Sequence, residues 1–369
     1  MTSTDLPRLS VRSCADLNAA VPYLLGFHPA DSVVVVAMHG TRITFAARAD
    51  LPDLDGSADL GGSARPSTES ADPGGSDGHA AAARHLAAVV ARQTTDRATV
   101  LGYGPASRVT CAVDAVRQAL TETGILVLDA LRVTDGRYWS YLCQAPECCP
   151  PDGTPYDSGT SQVAAAAVLA GQVALPDRAA LVAQVAPAGG TEQVRLRRAA
   201  ERARRRFAGL VTPRTGGDLP RGRAVRAAGS TAIRAALRRY RRGERLDDDE
   251  VAWLSLLLTD PTVRDLAWER TDGRDADNAL WADVLRRAQP DLIAAPGCLL
   301  AFATWRAGHG ALAAVAVERV LAQQPDHPLA LLLDDLLRRG VPPTRLAGWP
   351  AVQLPGAVRP RRRRGRGAR

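Results

Sequence analysis

Three of the six cysteines, Cys143, Cys148 and Cys149, fall within WSYLCQAPECCPPDGTPY, residues 139–156. Thiols this close together can hold a soft metal ion or supply a nucleophile. As metal ligands, with His28 as a further donor, they would make a zinc site. CxxxxCC without a second cluster departs, however, from the paired spacing of two to four residues typical of structural zinc. As a nucleophile Cys143 needs a base beside it and a depressed pKa. The plainer reading is small side chains packed beneath a proline-rich turn. A second group, His28-Pro29-Ala30-Asp31-Ser32, places an imidazole, a carboxylate and a hydroxyl just ahead of an apolar run. Triads usually converge from separate segments, so Asp31 or Ser32 more simply caps a turn. The candidate catalytic residues are thus His28, Asp31 and Cys143, and the candidate metal ligands are Cys143, Cys148 and Cys149. GxGxxG, GxxxxGK[ST] and HExxH are missing, which removes the commonest nucleotide-site and metalloprotease readings and leaves the cofactor unknown.

Charge gives a third candidate. All 47 basic residues are arginine, against 39 acids, for a net charge of +8. Seven arginines lie in residues 359–369, and residues 195–245 hold 17 against three acids, so the remainder is 8 − 7 − 14 = −13. In residues 191–211, Leu196, Ala200, Ala203, Phe207 and Leu210 form one stripe among arginines, a basic amphipathic helix. It reads either as a surface for an acidic partner, nucleic acid or anionic membrane, or as a solvated helix laying its stripe on the body. The tail RPRRRRGRGAR, with Arg361, Arg362, Arg363 and Arg364, reads as disordered and suited to salt-sensitive, non-specific phosphate contact.

These residues need elements to position them. Residues 13–23 read as a helix capped by Ser13, residues 31–37 as a buried strand, and residues 42–50 as its antiparallel partner. Residues 53–78, almost all Gly, Ser, Asp, Ala and Pro, bury too little to offset ordering and read as a disordered insertion. Next come helix 79–93, strand 98–103, helix 107–123 and strand 125–133, after which Asp135-Gly136 turns the chain into a strand at 138–142. This alternation predicts an α/β layer with a mixed sheet.

Downstream the pattern is helical, with pairs at 263–270 and 276–288, 298–307 and 311–324, and a further helix at 329–339. Gln289-Pro290-Asp291 and Gln324-Pro325-Asp326 recur 35 positions apart, near the ~34-residue period of tetratricopeptide repeats. The alternative is a plain helical bundle. The predicted fold is an α/β N-terminal domain with a mixed sheet (1–160), an Ala/Arg-rich helical connector (161–245), an all-α tetratricopeptide-like C-terminal domain (246–345) and a disordered tail (346–369). No apolar run reaches the ~18 residues of a membrane helix, and the first residues have no signal-peptide core, so a cytoplasmic protein without membrane insertion is expected.

VPYLLGFHPADSVVVV, WSYLCQAPECCPPDGTPY, AWLSLLLTDPTVRDLAW and LLAFATWRAGHGALAAVAVERVLAQQP together resemble domain of unknown function family 4192, across about residues 9–340. That resemblance implies a soluble actinobacterial protein and brings no catalytic residues with it. The function expected is therefore a non-catalytic scaffold holding a protein or peptide in the helical-repeat groove. The alternatives are a thiol- or zinc-dependent hydrolase with a cleft near His28 and the cysteines, and non-specific nucleic-acid binding through the arginine tail.

Overall fold

A computed structural model describes residues 11–51, 75–211 and 219–346. Helix α1 (Cys14–Leu25) begins where the Ser13 Oγ accepts from the Asp16 N–H at 3.1 Å. It stops at Gly26, whose φ of 85° is a left-handed turn open to a residue without Cβ. Strand β1 (Ser32–His39) is buried from Ser32 to Ala37, as its unbroken valine run requires of a strand covered on both faces. It pairs antiparallel with β2 (Arg42–Asp50). Helix α2 (Gly75–Ala91) begins inside the stretch expected to be an insertion, because the Ala-rich run beyond it continues a helix back to Gly75. The rest of that stretch, residues 53–74, lies outside the described residues.

Strand β3 (Arg97–Tyr103) lies antiparallel to β1 on its other side, and α3 (Ala106–Glu122) crosses over to β4 (Leu126–Thr134), parallel to β3. A parallel pair needs such a crossover. Asp135-Gly136 turns tightly into β5 (Arg137–Ser140), and β6 (Thr154–Pro155) closes a six-stranded mixed sheet in the order β2-β1-β3-β4-β5-β6. The two-residue period of β1 divides its side chains between two cores. Val33, Val35 and Ala37 pack under α2 and α3, while Val34 and Val36 meet Leu17 and Val21 of α1.

Ten α-helices follow among the described residues. They are α4 (Gln162–Leu169), α5 (Arg178–Ala183), α6 (Gly190–Val211), α7 (Leu219–Tyr240), α8 (Asp248–Leu257), α9 (Pro261–Glu269), α10 (Asp275–Arg287), α11 (Ala294–Arg306), α12 (Gly310–Gln323) and α13 (Pro328–Arg338). Their starts are readable in the chain. Asp247 and Glu250 form a reciprocal capping box on α8, and Asp260 caps α9 ahead of Pro261, the first helical position, where a missing N–H costs nothing. Both Gln-Pro-Asp tripeptides lie in links, one between α10 and α11 and one between α12 and α13. Leu280, Trp281, Leu300 and Trp305 are buried in one continuous helical core, with Trp268 and Leu321 packed at its margin.

The two halves meet at points the sequence left unmarked. Phe27 enters the helical core, and the chain beside it pairs with Leu175, whose carbonyl accepts from the His28 N–H at 2.9 Å. Beyond α13, the Gly340 carbonyl accepts from Gln93 Nε2 at 2.5 Å. Residues 143–156 fold back on the edge of the sheet, where Thr154 and Pro155 pair with β5.

Candidate functional site

The Sγ atoms of Cys143, Cys148 and Cys149 lie within 4.8 Å of one another. The local chain explains why. Ser140, the last residue of β5, donates through Oγ to Asp129 Oδ1 of β4 at 2.7 Å, and the same Oγ accepts from the N–H groups of Leu142 and Cys143 at 3.1 and 3.0 Å. That turn fixes the first cysteine. The Ala145 carbonyl then accepts from the N–H groups of both Cys148 and Cys149, at 3.0 and 2.7 Å, which winds the chain so that the vicinal pair returns over Cys143. Pro150 and Pro151 stop the winding, and the Pro151 carbonyl accepts from Trp139 Nε1 at 2.9 Å.

The thiols are electronically unequal. Hydrogen bonding from Cys149, helped by a backbone N–H contact near Ala145 and by Cys148, holds the Cys143 thiol below the ordinary thiol range. The same contact with Cys143 pushes Cys149 up to about 12. Cys143 is thus the member predisposed to carry a thiolate, with its neighbours as donors.

Two residues that sequence reasoning missed stand beside this group. Cys14, the first residue of α1, donates through its thiol to Asp129 Oδ2 at 3.4 Å. Burial, and then the Asp129 carboxylate, push Cys14 up to about 11, and Cys148 adds to the shift. Asp129 therefore reaches Cys14 with one oxygen and, through Ser140, the Cys143 backbone with the other.

His28 and Asp31 do come together, but in a different place. They line a cleft of about 290 Å³ with Pro22, Tyr103, Gly104 and Tyr156, at the carboxyl ends of β3 and β4. The cysteines are not among its lining residues, and the thiol group contains no histidine. Asp31, at φ 40°, has its Oδ1 3.8 Å from Arg108 Nε.

The basic helix α6 is partly matched by acids of neighbouring elements. It buries Leu196, Ala199, Ala200 and Ala203, while Arg195, Arg202 and Arg204 pair with Asp248, Asp249 and Asp291 at 3.2, 2.7 and 3.0 Å. Arg206 stacks over Trp253, 4.0 Å from the ring centre. The apolar stripe of α6 is laid on the body while its arginines stay exposed, three of them reaching acids of neighbouring elements. Arg361, Arg362, Arg363 and Arg364 lie outside the described residues.

A cleft of about 490 Å³ opens instead beside α7, lined by Arg234, Arg238, Arg241, Arg242 and Leu237, with Glu269, Arg270 and Asp272 opposite. Five arginines face two acids there. Arg234 and Arg238, one turn apart, share a face of α7, and Arg241 and Arg242 follow in the turn after it. Arg241 also reaches the buried Asp277 at 3.5 Å. Among the described residues, no carboxylate lies within ion-pair distance of Arg238, Arg242 or Arg270.

The fold and these sites define a two-part protein, a mixed α/β sheet with a thiol cluster at its edge joined to a helical body carrying a basic cleft. The chain belongs to the family described as Domain of unknown function (DUF4192), whose model matches residues 15–344. No curated protein and no solved structure matches it. Among the described residues no helix is long and apolar enough to cross a membrane.

Proposed function

We propose that the protein is a non-catalytic cytoplasmic scaffold whose helical half docks an acidic peptide segment of a partner protein in the cleft between α7 and α9. The observation that supports this reading is the unequal use of arginine. Of the seven arginines on α6, Arg195, Arg202 and Arg204 are matched by acids of the body and the rest stand spread along an exposed helix. The cleft instead gathers five arginines beside Glu269 and Asp272, of which, among the described residues, Arg241 alone is paired, to Asp277. Arginine presents a planar fork of donors to carboxylates, and several such contacts on one face add up where a single exposed pair contributes only ~0.2–1 kcal/mol. Glu269 and Asp272 interrupt the basic surface, which suits discrete peptide carboxylates better than a continuous phosphate backbone. In this reading α10 to α13, stacked in tetratricopeptide-like pairs, brace α7 from behind. A thiol or metal-bound hydrolase would need a base beside its nucleophile. His28 and Asp31 line a different cleft from the cysteines.

Fluorescence anisotropy with a labelled deca-glutamate peptide tests the proposal on the full chain. Wild-type protein should bind it with an affinity that falls as salt rises, and the double variant Arg238→Glu/Arg242→Glu should bind at least tenfold more weakly. Equal binding by the variant would overturn the assignment. Tighter binding of a short DNA duplex, equally sensitive to that variant, would make nucleic acid the partner and overturn it too.

A further inference from the structure

The three clustered thiols are unused by the docking function. We propose that Cys143, Cys148 and Cys149 form a thiolate site for one zinc ion, with Cys14 as the fourth ligand, so that the metal clamps the start of α1 to the edge of the sheet. Zinc–sulfur bonds of about 2.3 Å place tetrahedral sulfurs about 3.8 Å apart. Cys148 and Cys149 already stand 3.9 Å apart, and the three Sγ atoms fall within 4.8 Å, so contraction of about an ångström completes a trigonal face. Vicinal cysteines rarely ligate one ion with both thiols unless the backbone between them is tightly wound. The shared acceptor at the Ala145 carbonyl supplies that winding.

Asp129 connects Cys14 to the cluster. Its Oδ2 accepts from Cys14, and its Oδ1 takes the Ser140 hydroxyl that holds the Cys143 N–H. Cys14 thus stands three hydrogen bonds from the backbone of the first metal ligand. On coordination the bond from Cys14 would be given up with the thiol proton, while Asp129 keeps the Ser140 hydroxyl and so still holds the Cys143 turn. Each coordinating thiol gives up its proton to solvent, and the cation replaces the thiol-to-thiol hydrogen bonds now joining Cys143, Cys148 and Cys149. Burial matters as well. Cys148 is exposed while Cys143, Cys149 and Cys14 are half-covered, so the ion has an entry path from solvent. Cys111, exposed on α3, and Cys298, buried in α11, stand outside the group.

The test uses full-length protein, reduced, stripped with chelator and reloaded with zinc or cobalt(II). Elemental analysis should find one zinc per chain, and the cobalt form should show intense sulfur-to-metal charge-transfer absorption with the visible bands of a tetrahedral centre. Cys148→Ser should abolish stoichiometric zinc, while Cys111→Ser should leave it unchanged. Cys14→Ser should weaken zinc binding by ten- to a hundredfold and lower the charge-transfer intensity. Circular dichroism of each stripped variant shows whether a loss reflects the ligand or the fold. Failure of the folded, reduced wild-type protein to take up zinc would overturn the site, as would equal loss in Cys111→Ser. Unchanged affinity in Cys14→Ser would overturn the fourth ligand.

Discussion

Tyr240 at the end of α7 donates its hydroxyl to Asp283 Oδ2 of α10 at 2.5 Å, and the two residues are buried together. Asp283 also accepts from Arg287 at 2.9 Å and from Arg245 at 3.3 Å. One carboxylate therefore fixes where the cleft-bearing helix sits on the helical core. A buried charge of this kind is tolerated only when its oxygens are satisfied, and removing it strands the groups around it.

Asp283→Ala should cost about 3 to 5 kcal/mol, because it leaves Arg287, itself only 10% exposed, without its nearest buried partner. Tyr240→Phe removes one hydrogen bond to a charged acceptor and should cost about 1.5 to 3 kcal/mol. Burial first, and then the bond to Asp283, raise the Tyr240 hydroxyl well above the ordinary tyrosine range. A raised pKa means that folding favours the protonated form. Its contribution is complete below the unfolded tyrosine value near ~10 and is lost as pH climbs above it. Urea melts at neutral pH and near pH 11 should show wild-type protein losing more stability than Tyr240→Phe between the two. Parallel losses would place the alkaline transition elsewhere.

The elements were more legible than the sites. The valine run of β1 could only be a buried strand, Asp135-Gly136 could only be a tight turn, and each Gln-Pro-Asp fell between helices because proline cannot continue one. The clustering of Cys143 with the vicinal pair was visible as proximity in sequence. Cys14 was not, since it stands 115 positions from the Asp129 that receives it, and only the pairing of α1 against the sheet brings them together. The arginines show the same limit. Those of α6 and α7 look alike in the chain, but the acids that occupy Arg202 and Arg195 lie 47 and 53 positions downstream, so only the packed helices reveal which face stays unmatched.

Trp305 of α11 tests the helical register. It is 5% exposed, packs beside Phe302, and donates its indole N–H to the Val341 carbonyl at 2.9 Å. Truncation removes a large buried ring and leaves that carbonyl without its donor. Trp305→Ala should therefore cost about 3 to 5 kcal/mol in denaturant melts, and Trp305→Phe clearly less. A loss under about 1 kcal/mol for the alanine variant would put this ring at the surface and displace α11 from the core.

Gly153 decides whether the cysteine-bearing segment can close on the sheet. Its φ is 77°, and a Cβ there would lie 2.4 Å from Cε2 of the Trp139 ring. That ring cannot simply retreat. Arg132 stacks over it at 3.7 Å, and its indole N–H is committed to Pro151. Arg137 meanwhile donates to the carbonyls of Asp152 and Gly153, at 3.1 and 2.8 Å, so the turn is held from both sides. Gly153→Ala combines left-handed strain of about 1 to 2 kcal/mol with an overpacked contact of similar size, and should destabilise the protein by about 2 to 4 kcal/mol. The damage should also be local. Limited proteolysis should cut the variant between residues 143 and 156 and spare that segment in the wild-type protein, and zinc uptake by the thiols should weaken in step. Wild-type resistance together with unchanged stability would mean that the turn accommodates a side chain and that Trp139 does not brace it.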